Sequence, residues 1–301
     1  MGLTRFPNGI SSFGIPIYGN GSQDISGSTY FVDNNSGSDS NDGTSWNDAF
    51  KTFEKAAVIS NIDIASGLNR YARRNTMYYC ADTETVTITT FPNKCDVRGC
   101  GSYDANSMPG ITGNHAPVNA GNYGTRFFNI WFKAAAAAAP TITLTSSSSG
   151  IQFIGCTFSG NATSTIAIQA TASPFLKVIG CRFEGAYATS DITFGAGEAG
   201  GTEIIGCRFT DSAASGIVVD SSTTTSWGAF IDDCRVKAAT VTLNDASSLF
   251  HVTNSDFISL ASVTGYTTPA EAFVANAALC SRCYITAANV NFAWPIADTT
   301  T

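Results

Sequence analysis

Three arginines recur at one position of a repeated five-residue phrase and are the first candidates for chemistry in this sequence. Arg182, Arg208 and Arg235 follow one another at steps of 26 and 27 residues. Guanidinium groups stacked about 5 Å apart repel each other by roughly 1 kcal/mol per pair in water, so such a row needs acids nearby. Four acids lie in or beside the row: Glu184, Asp211, Asp233 and Asp256. The pattern therefore favours a self-compensated surface ladder over a catalytic site.

Other catalytic and metal-binding patterns are weak. Glycoside hydrolysis needs two carboxylates across a cleft, and the spacing singles out no such pair. His115 and His251 are isolated from each other. Cys280 and Cys283 offer two of the four ligands of a structural zinc ion, but strand alternation would point their thiols to opposite faces. We therefore predict no catalytic, cofactor-binding or metal-binding residue, and a glycan-cleaving enzyme stays an alternative.

A loop near the N-terminus is rich in carboxylates and amides. It contains Asp33, Asn35, Asp39, Asn41 and Asp42. Oxygen ligands of this kind suit calcium, although the loop lacks the spacing and the final glutamate of an EF-hand. A solvated turn is the favoured interpretation, and a calcium site is the alternative.

The phrase Ile-Gly-Cys-Arg-Phe and its variants return at a nearly fixed period, and this repeat organises the chain. The middle residues are separated by 25, 26, 27 and 21 positions, and they are Cys156, Cys181, Cys207, Cys234 and Ser255. Alternation within the phrase predicts a strand whose isoleucine, cysteine and phenylalanine point inward. Two further alternating runs separate successive phrases, so each repeat supplies three short strands. Such a repeat is one coil of a parallel β-helix.

The four cysteines of the phrase predict a ladder of buried, reduced thiols. Parallel stacking puts neighbouring Cβ atoms about 4.8 Å apart, beyond the roughly 3.5–4.5 Å of a disulfide. Cysteine at such positions acts as a small hydrophobic side chain.

The repeat and its flanks predict an N-terminal strand and capping helix at 28–95, coils at 96–260, and a last coil with a C-terminal cap at 261–301. Ser45 is the expected N-cap of the helix, with Asp48 three residues further on. One face of that helix would carry Trp46, Phe50, Phe53 and Ala57. Its expected role is to cover the open hydrophobic end of the first coil.

Residues 1–27 form a separate segment with neither a helical nor a strand period. Proline and glycine keep the segment extended. An extended apolar segment without its own core has to lie on a surface, so we predict a docking arm, with a frayed terminus as the alternative. The large apolar residues of the arm are Phe6, Ile10, Phe13, Ile15, Ile17 and Tyr18.

Composition limits the partners. Charged residues make up 13% of the chain, the net charge is −7 and the pI is about 4.7. This balance argues against a nucleic-acid partner, which needs clustered lysine and arginine. The chain has no run of 18 apolar residues, so we expect no membrane-spanning segment. The N-terminus lacks the basic and apolar regions of a signal peptide, so we expect no ordinary secretion.

Three stretches before the coils, at 30–33, 37–46 and 49–53, complete a wider pattern. Together with the repeated phrase, residues 29–257 resemble the pectate-lyase-like right-handed β-helix superfamily. The implied fold class is all-β, a right-handed single-stranded parallel β-helix with an N-terminal capping helix.

The first residues, 1–10 and 13–16, are similar to the N-termini of β-helical virion proteins of tailed bacteriophages, including capsid-associated and fibre proteins. The resemblance implies a homotrimer located in the virion after assembly in the host cytoplasm. We expect a non-enzymatic capsid decoration, or cement, protein whose arm binds the major capsid protein or another virion protein. The alternative is a tail fibre or tailspike that binds a host surface glycan through exposed tyrosine and tryptophan; a polysaccharide lyase or hydrolase comes third.

Overall fold

The chain folds as a parallel β-solenoid, and its described residues contain one α-helix, near the N-terminus, which confirms the predicted fold class. The structure is a computed structural model. It describes the following residues, some of the strands by their backbone alone: 10–12, 15–18, 27–66, 73–101, 107–118, 122–145, 148–171, 173–194, 201–210, 215–220, 229–237, 240–244, 251–260, 262–263, 280–281 and 284–287.

Parallel strands from successive coils form three long sheets in the described part of the chain. The first sheet contains Thr29–Asp33, Asn75–Cys80, Cys95–Gly99, Arg126–Phe128, Gln152–Ile154, Lys177–Ile179, Thr202–Ile205, Ala229–Asp232, His251–Thr253 and Cys280–Ser281. The second contains Glu84–Thr85, Gly110–Thr112, Trp131–Lys133, Thr157–Ser159, Arg182–Glu184, Arg208–Phe209, Arg235–Lys237, Asp256–Leu260 and Tyr284–Ala287. The third contains Ile142–Leu144, Ile166–Ala170, Ser190–Phe194, Ser215–Asp220, Thr240–Asn244 and Ser262–Val263. A short parallel pair, Asn122–Tyr123 with Ser148–Ser149, lies beside them.

Stacked phenylalanines fill the interior. Phe158 and Phe183 lie with ring centroids 4.9 Å apart, and Phe183 and Phe209 lie 4.5 Å apart, with interplanar angles of 10° and 5°. These residues face one another in register on neighbouring strands of the second sheet. All three are fully buried, so each contributes roughly 1.5–3 kcal/mol relative to exposure. One coil supplies only one layer of this stack, so the coils depend on one another.

The repeated phrase does not form a single strand, so the predicted inward position of its isoleucine is wrong. The glycine of the phrase adopts a positive φ, for example 59° at Gly180, and turns the chain from the first sheet to the second. Ile179 therefore ends a strand of the first sheet on its outer side, where it is half-buried, while Cys181 lies inside. Its strand neighbour Val178 takes the inward position instead. A residue with a positive φ breaks the alternation of inward and outward side chains along the chain. A pattern with a period of two assumes an unbroken strand and therefore places the isoleucine on the wrong side.

The cysteine and phenylalanine of the phrase are inside, as predicted. Cys156, Cys181, Cys207 and Cys234 are buried and free of disulfides. Each thiol lies 3.3–3.5 Å from a main-chain carbonyl oxygen of the preceding coil. Burial raises the pKa of the Cys181 thiol, which keeps this thiol protonated.

The helix, α1, spans Phe53–Ser66 and begins later than predicted. Ser45 and Asp48 bond to each other in a turn before it, so Ser45 is not its N-cap. The hydroxyl of Thr52 instead accepts a hydrogen bond from the amide of Lys55 at 3.2 Å. The helix packs against the first two strands of the first sheet. Its buried face is Phe53, Ala56, Ala57, Ser60 and Ile64.

The arm contains a short antiparallel hairpin rather than a fully extended segment. Ile10–Ser12 pairs with Ile15–Tyr18, and neither pairs with another described strand. Phe6 and Phe13 lie outside the described residues, and the other four predicted docking residues are described only as part of the hairpin backbone.

Candidate functional site

An aromatic cluster lies on the outer side of the first sheet at its N-terminal end. The rings of Phe31 and Tyr78 stack on neighbouring strands with centroids 5.6 Å apart. The ring of Trp46 meets Phe31 edge-on at 4.9 Å. Trp46 is 46% exposed and Tyr78 is 36% exposed. The sequence predicts the start of a helix at Ser45, but the structure has a turn there, and this turn places Trp46 on the surface of the sheet.

Three arginines surround one carboxylate beside these rings. Asp96 is nearly buried, and Arg126 binds both of its oxygens at 2.7 and 2.8 Å. Arg74 lies 3.0 Å from the same carboxylate. Arg98 lies 3.4 Å from it and stacks on the ring of Phe128, with 4.6 Å between the guanidinium carbon and the ring centroid. The cluster therefore carries two more positive than negative charges.

Register connects the aromatic cluster, Arg98 and the outward isoleucines into one row. Phe31 pairs with Tyr78, Tyr78 with Arg98, Arg98 with Phe128, and the row continues through Ile154, Ile179 and Ile205. We call this row, together with Trp46, the outer stripe. Its seven strands span about 29 Å at about 4.8 Å per coil. Its members are Trp46, Phe31, Tyr78, Arg98, Phe128, Ile154, Ile179 and Ile205.

The outer stripe has the chemistry of a binding surface. Aromatic faces pack against apolar ligand surfaces, and arginine pairs with carboxylate, sulfate or phosphate groups. The row next to it contains the ion pair between Lys177 and Glu203, 2.8 Å apart. The arrangement can recognise a partner, and none of its described members is poised to transfer a proton or attack a substrate.

The predicted arginine row is in register on the second sheet. Arg182 pairs with Arg208, Arg208 with Arg235, and Arg235 with Asp256. Glu184 lies in the same strand as Arg182 and accepts a hydrogen bond from the Ser159 hydroxyl at 2.9 Å. Asp211 lies outside the described residues.

All three carboxylates of the predicted acid-rich loop bind backbone amides, and Asp42 accepts from Thr44 at 2.9 Å. Asp33 accepts from Asn35 and Ser36 at 3.0 and 3.1 Å. Asp39 accepts from Lys51 and Thr52 at 3.0 and 2.9 Å. These bonds organise the chain just before α1. Among the described residues, no group of three or more His, Cys, Asp or Glu side chains converges as a metal site would require.

His115 is a core residue rather than part of the outer stripe. Its Nδ1 accepts a hydrogen bond from the amide of Ile88 at 3.2 Å, and its ring meets Phe132 edge-on. Burial lowers the pKa of His115 to about 4. The imidazole is therefore neutral at physiological pH and serves as a hydrogen-bond acceptor in the core.

The outer stripe was missed in the sequence because its members belong to different motifs. Trp46 was assigned to the helix face, and Ile154, Ile179 and Ile205 were assigned to the core. The sequence gives no alternating signal at this strand, because Met77, Tyr78 and Tyr79 are all large and largely apolar. The burial of Met77 and Tyr79 in the structure places Tyr78 outside, and parallel register extends the row from there.

Comparison of this chain with models of protein families, with curated proteins and with solved structures finds no match. No helix in the described part of the chain is long and apolar enough to span a membrane.

Proposed function

We propose that this protein is a non-enzymatic structural component of a tailed-bacteriophage particle, a head decoration or cement protein whose N-terminal arm docks on the capsid. The observation that carries the proposal is the hairpin of Ile10–Ser12 and Ile15–Tyr18, which pairs with no other described strand. An isolated two-stranded hairpin is marginally stable in water, so it needs a surface to hold it. The resemblance of residues 1–10 and 13–16 to the N-termini of virion proteins, capsid-associated and fibre proteins among them, supports docking on a phage particle.

The solenoid body is suited to a structural role in the particle. Its interior is filled by stacked side chains, and its three sheets run continuously from coil to coil. A body of this kind projects from its attachment point without needing to change shape. Assembly would take place in the host cytoplasm, and three copies would form the attached unit. The half-buried isoleucines of the outer stripe support self-association because they leave apolar surface on the outside of each copy.

The arm can be tested in the full chain. The double variant Ile15→Asp with Ile17→Asp places two charges in the hairpin, and the double variant Val58→Asp with Ile62→Asp is the matched control. Val58 and Ile62 are 40% and 59% exposed on α1. Each protein is mixed with purified particles that lack it, and the bound fraction is measured by co-sedimentation.

We expect the hairpin variant to lose at least tenfold in particle binding while the control binds as the wild type does. The control should keep the wild-type melting temperature, because Val58 and Ile62 are exposed on α1, and the melting temperature of the hairpin variant is measured beside it. Equal binding by the hairpin variant and the wild type would refute the docking role of the arm.

A second candidate function is a tail fibre or tailspike that binds a host surface glycan. The exposed rings of Trp46 and Tyr78 on one face favour it, because sugar rings pack their apolar faces on aromatic side chains. Gold-labelled antibodies distinguish the two functions. Label spread over the head supports the decoration protein, and label confined to the tail supports the fibre.

A further inference from the structure

We propose that Arg98, with the rings on either side of it, forms a site for an anionic group, a carboxylate or a sulfate, carried by an acidic glycan. The proposal rests on the second candidate function, glycan binding, and adds the class of glycan. Three features of the described residues support it: the charge of the cluster, the way Arg98 is held, and the apolar surface beside it.

The charge of the cluster is unbalanced. Asp96 is the only carboxylate that makes an ion pair with Arg74, Arg98 or Arg126 among the described residues. The carboxylate is shared unequally, since Arg126 binds both of its oxygens within 2.8 Å and Arg98 reaches one oxygen at 3.4 Å. Arg98 is therefore the least satisfied of the three guanidinium groups.

Arg98 is both exposed and held in place. Its side chain is 46% exposed, the largest fraction of the three arginines. Its strand lies between the strands of Tyr78 and Phe128, and its guanidinium stacks on the Phe128 ring. With the described residues, the guanidinium makes a single hydrogen bond, to Asp96. Its remaining N–H groups have no partner among those residues and can bind an anion in bidentate geometry.

The rings beside Arg98 supply the surface for the rest of the ligand. Tyr78 is the neighbouring residue of the row, and Phe31 and Trp46 follow it away from Arg98. Successive coils are spaced at about 4.8 Å, so a sugar stacked on Tyr78 would bring a carboxylate or sulfate substituent within reach of Arg98. Stacking and ion pairing would then act on the same ligand.

The negative net charge of the protein restricts where an acidic polymer can bind. At −7, the molecule as a whole repels a polyanion, so an acidic polymer can bind only at a local cationic site. The competing cationic surface is the arginine row of the second sheet. Arg208 in that row is exposed and has no aromatic stacking partner among the described residues, which makes it a matched control.

The experiment measures binding of the full-length protein to dextran sulfate, hyaluronate and neutral dextran by isothermal titration calorimetry, with inorganic sulfate as the free-anion probe. The variants are Arg98→Gln, the control Arg208→Gln, and Trp46→Ala. We expect Arg98→Gln to weaken binding of at least one acidic polymer by about tenfold or more, since a charge-assisted hydrogen bond is lost. Arg208→Gln should bind as the wild type does, and Trp46→Ala should weaken the same polymer.

Each of the other outcomes refutes a different element of the proposal. If no acidic polymer binds, or if Arg98→Gln and Arg208→Gln lose binding equally, the Arg98 site is refuted. If inorganic sulfate binds as tightly as the polymers and Trp46→Ala has no effect, the site is one for small anions and the acidic glycan is refuted. If Trp46→Ala weakens neutral dextran while Arg98→Gln changes nothing, glycan binding stands and the anionic group is refuted.

Discussion

The carboxylate of Glu84 lies 3.2 Å from the amide nitrogen of Phe53, so a residue of the second sheet caps the first turn of α1. The same carboxylate accepts a hydrogen bond from the hydroxyl of Tyr79 at 2.8 Å. The first amides of a helix have no partner within the helix, and here a buried acid from another element provides one. Glu84 thereby ties α1 to the end of the solenoid.

This buried acid makes stability depend on pH. Burial raises the pKa of Glu84, and its hydrogen bonds with Tyr79 and Phe53 oppose the rise without cancelling it. The protonated form is therefore favoured in the folded state. The stabilisation from this group is fully present below pH 4.5, its ordinary pKa, and is lost as the pH rises through the folded pKa.

Glu84→Gln should remove this dependence while keeping an acceptor for both bonds. We expect the free energy of unfolding of the variant to fall less than that of the wild type between pH 4.5 and 7, measured by urea titration. Glu203→Gln, at a part-exposed ion pair, is the control for removing a carboxylate outside the core. Identical slopes for Glu84→Gln and the wild type would contradict the prediction.

His115 predicts a pH effect of the opposite sign. Burial lowers its pKa to about 4 from an ordinary 6.5, so the folded state favours the neutral imidazole. Its contribution is complete above pH 6.5 and is lost as the pH falls towards 4, by about 3 kcal/mol in total at about 1.4 kcal/mol per pH unit. His115→Asn retains an acceptor for the Ile88 amide and should abolish this loss in urea titrations at pH 8 and pH 5. A variant as sensitive to acid as the wild type would refute this role.

The thiol ladder should be inert in the folded protein. Cys156, Cys181, Cys207 and Cys234 are buried, and alkylation needs an exposed thiolate. We expect iodoacetamide at pH 8 to leave these four unmodified in the native protein and to modify all of them in 6 M guanidinium chloride. Mass spectrometry of peptides identifies each site. Modification of Cys181 at the rate of the denatured protein would show that the ladder opens.

Two phenylalanines eight positions apart should differ sharply in their contribution to stability. Phe183 is fully buried between Phe158 and Phe209, whereas Phe175 is 58% exposed at a corner. Phe183→Ala should cost about 3–5 kcal/mol because it leaves a cavity in the stack. Phe175→Ala should change the free energy of unfolding by about 0.5 kcal/mol or less. Urea unfolding checks both, and a loss of similar size for the two would be inconsistent with the stacked core.

The periodic part of the fold could be predicted from the sequence, and the corners could not. Alternation and the 25–27-residue step were sufficient to predict three strands per coil, because stacked coils repeat the same burial at the same position. Ile179 was placed inside because the alternation was carried through Gly180, whose positive φ resets it. Glycine permits a positive φ but does not require one, so the sequence alone does not show that Gly180 turns the chain.

The candidate surface was harder to predict than the core. Trp46 looked like a helix residue because Ser45 and Asp48 match a capping pattern, but they bond to each other in a turn and α1 begins at Phe53. Of the two caps that do form, the one from Thr52 is local, whereas the other comes from Glu84, which is 31 residues away from Phe53 in the chain. Contacts between distant residues of this kind have no local signature.

Ile179 offers a test of self-association through the outer stripe. It lies on the outer side of the first sheet between Ile154 and Ile205, and the corner beside it is open, since no heavy atom lies within 4 Å of where a Cβ on Gly180 would stand. Ile179→Lys should therefore leave the fold intact, with a change in the free energy of unfolding of about 0.5 kcal/mol or less. It would place a charge in any apolar interface formed by this row, which should dissociate a trimer.

Sedimentation velocity measures the outcome directly. We expect wild-type protein to sediment as a trimer, Ile179→Lys as a monomer, and the surface control Val58→Lys as a trimer. Val178→Lys, one position earlier and fully buried, should fail to fold, which separates the outward from the inward face of the same strand. A monomeric wild type, or a trimeric Ile179→Lys, would exclude the isoleucines as the contact, because a buried unpaired lysine is too costly to be retained in an apolar interface.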